Sequence, residues 1–170
     1  MKRGYRSAAL ALGAAALVAA CEHPADLALP DAAQVAGYYS YDGKLEAEVR
    51  GNVAVVTVYQ PTRQLRRGGT LWAKVGPYVF LFSKETQRLL GDFPGLAGVR
   101  VITKAAGGGR VAQALLRRDA LNDLTWRRAL NIAGKARRDG SKRPGLLEDL
   151  VRWGEDHTEF EYNSRYISRR

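Results

Sequence analysis

The chain has 170 residues, with 27 Lys and Arg against 17 Asp and Glu, a formal charge of +10 and a pI near 10.0. This length makes one domain with room for a sizeable core, and the single cysteine excludes an intrachain disulfide. The basic balance favours anionic partners (lipid headgroups, lipopolysaccharide phosphates, teichoic-type polymers or nucleic acid) without choosing among them.

Lys2, Arg3 and Arg6 precede an uninterrupted apolar run from Ala8 to Ala20. A basic start, a short apolar run and a small-residue end mark a secretory signal, and the run is shorter than the ~20 apolar residues of a membrane-spanning helix. Its end, Leu17-Val18-Ala19-Ala20-Cys21, resembles the lipobox of bacterial lipoproteins. The resemblance covers residues 1–21 alone. It implies cleavage between Ala20 and Cys21, diacylglycerol on the Cys21 thiol and acylation of the new amino group. Each buried methylene contributes ~0.8 kcal/mol, so two or more acyl chains anchor stably where one holds marginally. The residue after Cys21 is Glu22, not the aspartate that retains enterobacterial lipoproteins at the inner membrane, so the same resemblance implies the periplasmic leaflet of the outer membrane in a diderm host. The expected organisation is a signal peptide at 1–20, a lipidated cysteine and tether at 21–37, and one domain at 38–170. Taking Lys2, Arg3 and Arg6 from the 27 basic residues leaves 24 against 17 acidic ones, a formal +7.

The tether, with Pro24, Pro30 and many alanines, shows no sustained period. Tyr38, Tyr39 and Tyr41 follow and are expected to seal the domain edge where the chain enters. Lys44 to Tyr59 alternates on either side of Gly51-Asn52, a two-residue turn signal, and predicts a β-hairpin. Gln60 to Gly69 is then expected to be a polar loop carrying Arg63, Arg66 and Arg67. Leu71 to Phe82 is rich in β-formers and predicts a second hairpin or a long strand broken at Gly76-Pro77. Ser83 can cap a helix in which Thr86, Leu89, Leu90 and Phe93 share a face.

Val99–Lys104 and Val111–Leu116 predict another hairpin around the glycines at 107–109. Those glycines lack the spacing and following helix of a nucleotide-binding loop. Asp119 to Asp139 has the clearest helical period. Its apolar arc leaves Arg127, Arg128, Lys135 and Arg138 on the opposite side. Pro144 begins a shorter helix expected to reach Trp153 and stop at Gly154, and the alternating tail around Thr158, Phe160 and Tyr162 predicts a last strand. The fold class is therefore α+β: a hairpin-rich antiparallel sheet, one inserted helix, and two C-terminal helices on one face.

No catalytic constellation stands out. A lipidated Cys21 is withdrawn from thiol chemistry. His157 is the in-domain histidine, with Glu155, Asp156, Glu159 and Glu161 nearby, but no Gly-x-Ser-x-Gly elbow supports a hydrolase triad. The leading expectation is a non-enzymatic envelope lipoprotein, an assembly, scaffold or binding component. It would meet other envelope proteins or anionic envelope polymers through Arg63, Arg66, Arg67 and the basic helix face. A small hydrolase or metal-dependent enzyme centred on His157 is the alternative. No cofactor or resident metal is expected, and the export signal disfavours nucleic acid.

Overall fold

The structure is a computed structural model that describes residues 27–67 and 69–168. Cys21, the signal segment and the first part of the expected tether lie outside the described residues. The rest of that tether is part of the fold. Asp31 caps helix α1 (Ala32–Tyr38) in a capping box with Gln34, and Val35 is fully buried. The composition is that of a linker, but Val35 and the tyrosines after it supply one apolar face. The tyrosines form the expected seal: Tyr38 donates to Asp92, Tyr39 bonds the Thr86 hydroxyl at 2.8 Å, and Tyr41 donates to the Tyr59 carbonyl.

Strands β1 (Leu45–Arg50) and β2 (Val53–Gln60) make the expected hairpin, with Gly51 at φ +58°, a conformation that side-chain-bearing residues rarely adopt. Beyond β2 the chain departs from expectation. Residues 62–67 are helix α2 (Thr62–Arg67) instead of a loop. Leu71–Phe82 belongs almost entirely to helix α3 (Gly69–Leu81) instead of a hairpin, and helix α4 (Lys84–Asp92) follows, capped by Ser83 as expected. Strands β3 (Gly98–Ala105) and β4 (Arg110–Arg117) then form the second hairpin.

The sheet order explains the three helices. It runs β1-β2-β3-β4-β5, where β5 (Glu159–Tyr162) pairs antiparallel with β4 as the tail predicts. The sheet is mostly antiparallel, but β2 and β3 are parallel, with Val53 opposite Gly98 and Gln60 opposite Ala105. A parallel pair cannot be joined by a tight turn, so the chain must cross over the sheet between them. Within α3, Val75, Tyr78 and Leu81 are fully buried, as is Phe82 just beyond it, at helical spacing. Local β-propensity is overridden because this segment must cover Ala54, Val56, Val58, Val99, Val101, Ala114 and Leu116, which share one buried cluster with it.

A 3-10 turn at Arg118–Ala120 leads to helix α5 (Asp123–Asp139), and helix α6 (Pro144–His157) follows. Both pack on the same core, through Ala129, Ala133, Leu147 and Leu150. Arg118 closes the far end of α4, donating to the carbonyls of Leu90, Phe93 and Leu96 at 2.5–2.6 Å. A cation there also opposes the negative helix end. Helix α6 runs through Gly154, beyond its expected stop; the glycine there is a packing position, where the Tyr78 ring occupies the space of a side chain. A Cβ on Gly154 would lie 2.5 Å from Cδ1 and 2.6 Å from Cγ of that ring. The Tyr78 hydroxyl meets the Tyr162 hydroxyl at 2.6 Å, and Tyr162 donates to Glu155, which pairs with Lys74. This chain of contacts ties β5 to α3 and α6. Helix α7 (Ser164–Ile167) completes the described fold.

Two predictions follow from this packing. Gly154→Ala should destabilise the domain by about 1–3 kcal/mol, read from the urea midpoint, because a buried ring must shift. Burial also pushes the Tyr78 phenol up to about 12 and raises Tyr39 and Tyr162 in the same direction. A raised phenol favours the neutral form in the folded state, so the stability it contributes is complete below the unfolded value of about 10 and lost as pH rises towards 12. The urea midpoint should fall steeply between about pH 10 and about pH 12, and Tyr78→Phe should flatten that fall.

Candidate functional site

Helix α5 presents a broad cationic surface. Asn122 caps it in a reciprocal box with Thr125, Asp123 lies in the positive first turn, and Arg137 and Arg138 lie in the negative last turn. Trp126, Ala129, Ala133 and Ala136 are buried at spacings of three and four. That phase fixes the opposite side. Arg127, Arg128, Asn131, Lys135 and Arg138 are all exposed, and at ~100° per residue they fall within a single stripe. The four cations expected to gather therefore do so. Arg137 leaves the stripe and donates to the Val79 carbonyl, tying α5 to α3.

The stripe borders a groove between α5 and α6. Arg127, Arg128 and Asn131 line one side, and Arg152, Trp153, Asp149 and Asp156 line the other. The Arg128 guanidinium lies 4.8 Å from the Trp153 ring, a cation–π contact, and His157 stacks on Trp153 at 4.0 Å. Trp153 is 9% exposed, and its indole N–H is buried without a partner among the described residues. Also among the described residues, ion pairs join Lys44 to Glu46, Arg50 to Glu48, Lys74 to Glu155, Arg110 to Glu161 and Arg117 to Glu159. None involves Arg127, Arg128, Lys135, Arg138 or Arg152. Most paired cations thus sit on the sheet, and the α5–α6 cations face solvent without carboxylate partners.

The other expected basic cluster is arranged differently. Arg63, Arg66 and Arg67 belong to α2, so a helix and not a flexible loop carries them. Arg63 is exposed and shares a shallow groove with Gly140 and Ser141, which follow α5. One member of the cluster is thus brought near the C-terminal end of the basic helix.

His157 is half-buried, with Nδ1 2.9 Å from the Trp153 carbonyl. Asp156 and Glu159 line the same shallow depression. The neighbouring acids are mostly engaged elsewhere: Glu159 with Arg117, Glu161 with Arg110 and Gln113, Glu155 with Lys74 and Tyr162. Among the described residues no group of three His, Cys, Asp or Glu could hold a metal ion.

Arg152 and Trp153 were not expected at this face. Their helix was legible from Pro144 and the leucines, but which side of α6 meets α5 depends on the Gly154–Tyr78 contact, which leaves no periodic signal. No known family, no curated protein and no solved structure matches the chain.

Proposed function

We propose that the chain is a non-enzymatic envelope lipoprotein, anchored through Cys21, whose domain binds phosphate-bearing envelope polymers at the α5–α6 face. The observation that carries this is the set of five cations, Arg127, Arg128, Lys135, Arg138 and Arg152, displayed on two rigid helices without carboxylate partners among the described residues. Guanidinium groups offer forked donors that match phosphate oxygens, and rigid helices hold them at fixed spacing. Asp149 and Asp156 interrupt the positive surface, which suits spaced phosphates better than the continuous backbone of a nucleic acid. The periplasmic leaflet of the outer membrane, as the Cys21-Glu22 pair implies, would place the face among such polymers.

The test uses a Cys21→Ser chain, which has no thiol to acylate at that position, and lipopolysaccharide as the probe. Binding should weaken steeply between roughly 50 and 200 mM salt, as expected when counterions are released. Adding Arg127→Ser, Arg128→Ser, Lys135→Ser and Arg138→Ser should lower affinity about tenfold or more at the lower salt, while these exposed substitutions change stability little. Equal affinity in both chains would remove the α5 face from the proposal.

A further inference from the structure

A cavity of about 380 Å³, within the range of small-molecule sites, runs along one face of α3. Trp72, Gly76 and Phe80 recur every four residues, so a single side of the helix forms the wall. Tyr39, Tyr41 and Leu147 add apolar surface from other elements. Tyr41 is held by the Tyr59 carbonyl and by edge-on contact with the Phe80 ring at 5.6 Å. Ser40, Gln60, Gln64 and Ser83 are neutral polar members of the lining. Gln60 donates its amide nitrogen to the Trp72 carbonyl, and its oxygen is buried without a partner, so it offers an occupant nothing.

Two charged groups line the same cavity, and their signs are opposite. Glu85 comes from the first turn of α4 and Arg137 from the last turn of α5. Both are open to solvent, Arg137 exposed and Glu85 half-buried. They gather where α3 ends. Arg137 donates to the Val79 carbonyl there, and Glu85 follows Ser83, the cap of the next helix. Burial pulls the Arg137 guanidinium below its usual value, and the nearby Glu85 carboxylate pushes it back up. Even so, the two form no ion pair among the described residues. The contact with Val79 uses one of five guanidinium N–H groups, and the others have no partner among the described residues. A partly buried cation and an anion that do not meet leave a place for a molecule that joins them.

A ligand with one charge satisfies half of this pair. A simple carboxylate gains Arg137 and is repelled by Glu85, an amine meets the reverse, and a phosphate carries still more charge against Glu85. An α-amino acid brings both charges on one carbon, and its side chain leaves that carbon for the apolar part of the cavity. Aromatic walls favour a ring there. Such a ligand differs in class from the polymer proposed at the α5–α6 face, and the two sites stand or fall separately.

We infer that this cavity binds a free α-amino acid with an aromatic side chain, its carboxylate on Arg137, its ammonium on Glu85 and its ring against Tyr41, Trp72 and Phe80. The probes are L-phenylalanine, 3-phenylpropionate, which lacks the ammonium, and phenethylamine, which lacks the carboxylate. Each is titrated into the Cys21→Ser chain near neutral pH while the Trp72 indole N–H resonance is followed. L-phenylalanine should give a saturable shift and bind about tenfold more tightly than either analogue. Arg137→Gln should remove its advantage over phenethylamine, and Glu85→Gln its advantage over 3-phenylpropionate. Absence of a saturable shift, an analogue that binds as tightly as L-phenylalanine, or advantages that survive the two substitutions would each overturn the assignment. The three probes on the unsubstituted cavity decide by themselves, even if a variant fails to fold.

Discussion

The parallel pairing of β2 with β3 is the constraint on which the rest of the structure depends. Val53 opposite Gly98 and Gln60 opposite Ala105 place two successive strands side by side with their ends far apart. The chain must return over the sheet, and what returns has to bury the apolar rows of three strands. Helix α3 does this with Val75, Tyr78 and Leu81, continued by Phe82. Most of the other helices pack against it. The Tyr78 ring fills the notch at Gly154 and seats α6, α6 seats α5, and Arg137 of α5 reaches back to the Val79 carbonyl.

The α5–α6 face is a consequence of that seating. The α5–α6 groove exists because a glycine at 154 lets α6 approach α3 and because the small buried residues Ala129, Ala133 and Ala136 let α5 lie close on the same core. The burial phase of α5 then leaves Arg127, Arg128, Lys135 and Arg138 facing outward. The cavity of Gln60, Glu85 and Arg137 lies on another side of α3, where Gly76 and Pro77 interrupt a regular helix. The sheet edges are protected in an ordinary way: β1 carries Glu46, Glu48 and Arg50, and β5 carries Glu159 and Glu161, charges that discourage pairing with other chains.

Much of this was legible in the amino acids wherever the signal is local. Gly51-Asn52 marks the first hairpin, the glycines at 107–109 the second, Ser83 the start of α4, and the period of Trp126, Ala129 and Ala133 the phase of α5. The α+β class and the two C-terminal helices on one face come from such signals. The α2–α3 region was not legible, because Trp72, Val75, Tyr78 and Val79 favour strands in isolation and form a helix only to satisfy a crossover between distant strands. Likewise α1 lay inside what composition marks as tether, and its membership of the fold rests on Val35 meeting a core assembled from residues far along the chain. The basic stripe was legible, since helix phase alone decides it. Its partners Arg152 and Trp153, and the orphaned Gln60, were not, since tertiary contacts decide them.

Function is proposed from two separate parts of the chain, an address at its beginning and a charged face within the domain. They support each other, because an anchored domain needs only modest affinity for a polymer that is concentrated around it. The address is the more decisive part. Its most direct measurement is the intact mass and membrane fraction of the protein made in a bacterial host, beside Cys21→Ser. The account predicts a mature chain beginning at Cys21, heavier by its acyl chains and recovered with membranes, and loss of that acylated mass in Cys21→Ser. An unmodified Cys21 on a chain recovered in the soluble fraction would contradict it.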